Sequence, residues 1–195
     1  SPAITDLAVL DALVSRLSRL ADSNAERVAA MFALGRLRQD QALAKGQDAT
    51  LLAQAVDAYQ KILKDPGLAA ATWTNAGRSA RADLDASTRV MAIVQKAGRS
   101  VYAGHEQQMT RQLELLGPTP DAEKLTELAR AYPASERTTE LYLRAAAMHE
   151  RAGRVAESIT SLDHALEQAR WALPLSGADP AGARARLGES AGRLL

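Results

Sequence analysis

Apolar residues return at steps of three and four along most of this chain, and that period belongs to one regular structure, the α-helix. Leu7, Leu10, Leu13, Val14, Leu17 and Leu20 make one stripe of a helix running from about Thr5 to Ala21. Asp22-Ser23-Asn24 ends it and caps the next helix, which runs from about Ala25 to Lys45 and stops at Gly46. A third begins near Asp48, buries Leu52, Ala55, Val56, Tyr59, Ile62 and Leu63, and is terminated by Asp65-Pro66-Gly67. Periodicity then fades over 68–82, which reads as an irregular loop with a short extended piece around Thr72–Thr74. It returns over Asp83–Ala97, Ser100–Leu116, Asp121–Tyr132, Ser135–Arg151 and Val155–Trp171, separated by Gly98, Gly117-Pro118-Thr119-Pro120, Pro133 and Gly153. A loop over Pro174–Pro180 and a short, alanine-rich, basic helix close the chain. The expectation is an all-α fold of about eight or nine helices in a single domain, 1–195, with no βαβ alternation.

Composition narrows the function classes. Aromatic residues are only 4% of the chain, while alanine and leucine, the best helix formers, dominate. Lys and Arg total 24 against 23 Asp and Glu, a net charge of +1, which makes no electrostatic case for nucleic acid or an anionic membrane. With no cysteine there is no disulfide, Cys-zinc site or thiol nucleophile. No apolar run approaches the ~20 residues that span a bilayer. Ser1-Pro2 carries neither an initiator methionine nor a signal-peptide pattern, so a chain processed or excised from a longer polypeptide is expected.

The residues around Gly153 carry a recognisable spacing. Counted from Thr139, Tyr142 is a large fourth residue, Ala146 a small eighth, His149 a ring at eleven, Ser158 a small twentieth, Leu162 a large twenty-fourth and Ala165 a small twenty-seventh. Small residues at eight and twenty let two antiparallel helix backbones approach, and the larger ones fill the space beside them. This resembles a tetratricopeptide (TPR) repeat, with 139–172 as the best unit. It departs from the family pattern in having histidine where tyrosine is usual and no closing proline. Ala55, Tyr59 and Ile62 before Asp65-Pro66, and Leu125, Leu128 and Ala129 before Tyr132-Pro133, echo the second helix of such a unit. The fold expected is therefore a short irregular solenoid of TPR-like antiparallel helix pairs.

The runs AVDAYQKILKDPGLAA, GRSARADLDAS, KAGRSVYAGHEQQ and LARAYPASERTTELYLRAAAMHERAGRVAESI extend that likeness over about Ala55–Ala165. Together they resemble the TPR-like helical region of large bacterial proteins that also carry pyrroloquinoline-quinone-dehydrogenase-like β-propeller repeats. The resemblance implies scaffolding in a larger protein of the periplasm or cell envelope. It transfers no cofactor-binding residue, and nothing in the chain looks like a propeller blade. In stacked pairs the first helices line a groove suited to a peptide or helix. By resemblance, the residues facing that groove are Glu140, Leu143, Arg144, Ala147, Glu150 and Arg151.

Motifs for chemistry are incomplete. His105-Glu106 opens an HExx pattern that ends in Met109, and His149-Glu150 also lacks a second histidine one turn on, so no metal site is expected. The phosphate-loop and GxGxxG spacings are absent, as is a GxSxG elbow, and no catalytic residue or cofactor is assigned. Arg184, Arg186 and Arg193 make the last helix basic, and Trp73 and Trp171 read as buried packing or as partner anchors. The function expected is a non-enzymatic module that binds another protein or peptide, or another part of its own parent chain. Its alternatives are a structural spacer beside propeller repeats and an enzyme with an unrecognised site, for which the irregular stretch 68–82 is the candidate.

Overall fold

Side-chain caps set the start of four helices in the computed structural model, which describes residues 7–75 and 77–172. Ser23 Oγ accepts from the Glu26 amide at 3.2 Å while the Glu26 carboxylate accepts from the Ser23 amide at 3.1 Å, a reciprocal capping box. Asp48, Asp65 and Asp121 each accept from amides two or three residues on. Among the described residues there are nine α-helices, a 3-10 turn at Arg99–Tyr102 and one two-stranded hairpin. The protein is mostly helical, and its contacts gather into two compact units, Ser1–Val101 and Tyr102–Leu195. The expected loop over Pro174–Pro180 and the closing basic helix lie outside the described residues.

The first unit contains α1 (Leu7–Leu20), α2 (Asn24–Ala44), α3 (Ala49–Lys64), the single turn α4 (Pro66–Ala69) and α5 (Ala82–Ala97). α3 packs against both α2 and α5, burying Ala55, Val56, Tyr59 and Ile62 with Val28, Phe32, Val90 and Val94. The stretch 68–82 is more regular than its sequence suggests. β1 (Thr72–Asn75) pairs antiparallel with β2 (Arg78–Arg81), matching Thr72 to Arg81 and Asn75 to Arg78. Its anchor is Trp73, which stacks on Phe32 of α2 with centroids 4.0 Å apart and planes 13° from parallel. The packing reading of Trp73 is the one the structure supports.

Tyr59 fills the α2–α3 seam beside Gly35. Its hydroxyl donates to Gln39 Oε1 at 2.7 Å, and the Arg89 guanidinium, paired with Asp85 at 2.8 Å, lies 5.7 Å from its ring centroid. Gly35 lies against the same ring, and a Cβ there would stand 2.8 Å from the tyrosine oxygen and closer still to ring carbons. Gly35→Ala gains up to ~1 kcal/mol of helix propensity but overpacks a pinned ring at a cost of ~1–3 kcal/mol. Net destabilisation is therefore expected in urea unfolding; a midpoint equal to or above wild type contradicts this account of the seam.

The second unit contains α6 (Ala103–Leu115), α7 (Ala122–Ala131), α8 (Thr138–Arg151) and α9 (Val155–Ala172). α8 packs on both α7 and α9, around a core that includes Met109, Leu125, Tyr132, Leu141, Tyr142, Ala145 and Ala165. The helix expected from Ser135 begins at Thr138, because Thr138 Oγ1 donates to the Tyr132 carbonyl at 2.6 Å and Ser135 Oγ donates to Glu106 at 2.8 Å. These bonds hold 133–135 as a buried turn. Gly153 reverses the chain at φ +72°, with the Arg154 amide donating to the His149 carbonyl at 2.8 Å and the Gly153 amide to Glu150 at 2.9 Å. Valine cannot hold that dihedral without strain, so Gly153→Val is expected to lose more than about 1 kcal/mol in chemical denaturation. An unshifted midpoint would contradict that expectation.

Candidate functional site

α8 shows opposite characters on opposite sides. Thr138, Leu141, Tyr142, Ala145, Ala146 and His149 are buried, at helical spacing, against its neighbours. The six groove candidates lie off that face: Glu140, Arg144, Glu150 and Arg151 are exposed, and Leu143 and Ala147 are half-buried. Leu143 packs on the edge of the core. At ~100° per residue, Glu140, Arg144, Ala147 and Arg151 fall in one strip of the outward surface, with Leu143 and Glu150 beside it. Arg144 and Arg151 are about two turns apart there, so the structure brings together the residues that the repeat pattern singles out.

A second feature escaped the sequence pattern. On the inner side of α8 a cleft of about 380 Å³ is lined by Glu123 and Arg130 of α7, His149 of α8, Arg154 of the turn, and Glu157 and His164 of α9, among others. The Arg154 guanidinium donates to the Glu123 carboxylate. Glu123 is held below the ordinary carboxylate range by its own backbone amide first and by Arg154 second. His149 is only 5% exposed; its Nδ1 and the Arg154 Nε are enclosed without a hydrogen-bond partner, each at a cost of ~1–3 kcal/mol. The His164 ring rests 5.2 Å from that of Tyr142. The only legible signal was His149 itself, a ring at a packing position, and nothing local announces that α7 would set Glu123 and Arg130 near it.

The cleft offers hydrogen bonds of both signs, from three carboxylates, two guanidiniums and two imidazoles. Among the described residues, no group of three or more histidines and carboxylates is placed to hold a metal ion. His105 is buried beside Tyr102, with ring centroids 5.3 Å apart, and Glu106 is spent on the 133–135 turn. No helix among the described residues is long and apolar enough to cross a membrane. Comparison with known proteins finds no matching family model, curated protein or solved structure.

All four tyrosines are shifted the same way. Burial, opposed by Arg130, pushes Tyr142 up to about 12; burial also raises Tyr59, Tyr102 and Tyr132. A raised phenol favours the protonated folded form. Its stabilisation is therefore whole below the unfolded value of ~10 and is lost as pH climbs through the folded value, about 12 for Tyr142. Absorbance at tyrosinate wavelengths is expected to rise at higher pH in the native chain than in urea. A native titration that coincides with the one in urea would contradict the packing of these rings.

Proposed function

We propose that this chain is a non-enzymatic, TPR-like helical module that holds a segment of another protein, or another part of its own parent chain, against the outward face of α8. The observation that supports it is the pairing on that face of exposed Arg144 and Arg151, about two turns apart, with half-buried Leu143 and Ala147 supplying an apolar floor. A helix buried on one side by two neighbours is rigid, so little ordering cost falls on the module when it binds. Two exposed guanidiniums beside a small apolar strip suit an acidic amphipathic segment, whose carboxylates pair with the arginines while its apolar side chains meet Leu143 and Ala147.

The double variant Arg144→Glu/Arg151→Glu tests it. Fluorescence anisotropy with a panel of acidic amphipathic helical peptides is expected to give wild-type binders that weaken at least ~tenfold in the variant, a loss of about 1.4 kcal/mol. Folding stays nearly intact, since exposed charges contribute little to stability. Binding that survives the charge reversal rules out this face. A panel with no wild-type binder returns α8 to the role of a structural spacer.

A further inference from the structure

The inner cleft of the second unit is a trough with two different ends. At one end the Arg154 guanidinium donates to Glu123, which ties the start of α9 to the start of α7. The Arg154 amide donates to the His149 carbonyl at 2.8 Å, so the last turn of α8 lies at the same end. At the other end the His164 ring rests 5.2 Å from that of Tyr142. Burial pushes Tyr142 up to about 12 and Arg130 opposes it, which sets that guanidinium beside the same ring. Glu123 and Arg130 on α7, like Glu157 and His164 on α9, stand about two turns apart, so the trough is about 10 Å long. Glu127 lies between the ends of the α7 row.

The polar groups of this trough are not balanced. The hydroxyls of Thr126, Thr160 and Ser161 also line it, and they donate to the Ala122, Ala156 and Glu157 carbonyls at 2.9, 3.0 and 2.9 Å. With their protons spent on their own helices, they can offer an occupant only lone pairs. Three carboxylates against two guanidiniums leave a formal charge of −1, counting both imidazoles as neutral. Arg154 already serves Glu123, whereas the carboxylates of Glu127 and Glu157 have no ion-pair partner among the described residues. Beneath them His149 is 5% exposed and its Nδ1 is enclosed without a partner, an uncommon state for a buried ring nitrogen and one that a donor seated at that end relieves.

That inventory selects an occupant rich in donors, with a net positive charge and one anionic group for Arg130. A basic α-amino acid has all three. Its carboxylate pairs with Arg130 in a two-pronged contact, with His164 beside it. Its α-ammonium meets Glu127, about one turn back along α7, and its long side chain carries a second cation to Glu157. The charges of ligand and cleft then cancel. A volume of about 380 Å³ is at the small end of ligand pockets and suits a single amino acid.

We propose that the cleft between α7 and α9 binds a free basic amino acid, with Arg130 on its carboxylate and Glu127 and Glu157 on its two cationic groups. The site lies on the opposite side of α8 from Arg144 and Arg151, so it does not rest on the partner-binding reading. Isothermal titration calorimetry of the full chain tests it with L-arginine, the basic amino acid with the most donors. L-arginine is expected to bind saturably, one per chain, and at least about tenfold tighter than L-alanine, whose side chain cannot reach Glu157. Agmatine, which lacks the carboxylate, is expected to bind at least about tenfold more weakly than L-arginine, as is glycyl-glycyl-arginine, in which an amide replaces the α-ammonium. Glu127→Gln, Arg130→Gln and Glu157→Gln are each expected to weaken L-arginine at least about tenfold at unchanged helicity, because all three side chains are exposed. The Arg144→Glu/Arg151→Glu variant is expected to bind L-arginine as wild type does, which separates this site from the outward face. No saturable binding of L-arginine in the millimolar range, or binding undiminished in Glu157→Gln, overturns the proposal. Glycyl-glycyl-arginine binding as tightly as L-arginine assigns the cleft to a peptide end and overturns it as well.

Discussion

Close approach between helices is the constraint on which both units depend. A chain with 4% aromatic residues cannot fill wide gaps between helices, so its seams are built from small residues that let backbones come near. In the second unit Ala145 and Ala146 of α8 are buried with Ser158, Ser161 and Ala165 of α9. Ser161 is admissible there because its hydroxyl donates to the Glu157 carbonyl one turn back at 2.9 Å. In the first unit the same logic is taken to its limit at Gly35, where the absence of a side chain makes room for the Tyr59 ring. The few large rings then act as plugs: Phe32, Tyr59 and Trp73 in one unit, Tyr132 and Tyr142 in the other.

That packing scheme explains which parts of the structure the sequence discloses. Helix periods and their Gly, Pro, Asn and Asp breaks are local, so α2, α3, α7 and α9 begin and end close to where their capping residues and apolar steps put them. The hairpin over 72–81 is not local. Its strands are four residues each, too short for alternation to register, and its anchor is the stacking of Trp73 on Phe32, a partner far away in the chain. Asn75 and Gly77 around a two-residue connection were the available turn signal. The start of α8 moved from Ser135 to Thr138 because Glu106 and Tyr132 capture the Ser135 and Thr138 hydroxyls, and hydrogen bonds to distant residues leave no trace in a periodicity.

The candidate site divides in the same way. The outward strip of α8 was legible, since Glu140, Arg144 and Arg151 are polar positions on a helix whose apolar face is evident from spacing alone. The inner cleft was not, because it exists only where α7 and α9 bring Glu123, Arg130, Glu157 and His164 to the side of His149. Histidine at that position fits the seam less completely than a ring without ring nitrogens would: its Nδ1 is enclosed without a partner. The polar cleft lies beside it.

The surface proposed for recognition follows from α8 having two packed neighbours. α8 loses its apolar surface to α7 and α9 and keeps only charge and two half-buried aliphatic groups outward. A partner there is gained mainly through charge pairing on a preorganised helix, and its affinity weakens with salt. α9 spends its small residues on α8 and leaves its large aliphatic ones to solvent. Under that proposal added salt weakens the charge-led contact on α8, while the apolar packing that holds α8 between α7 and α9 stays in place.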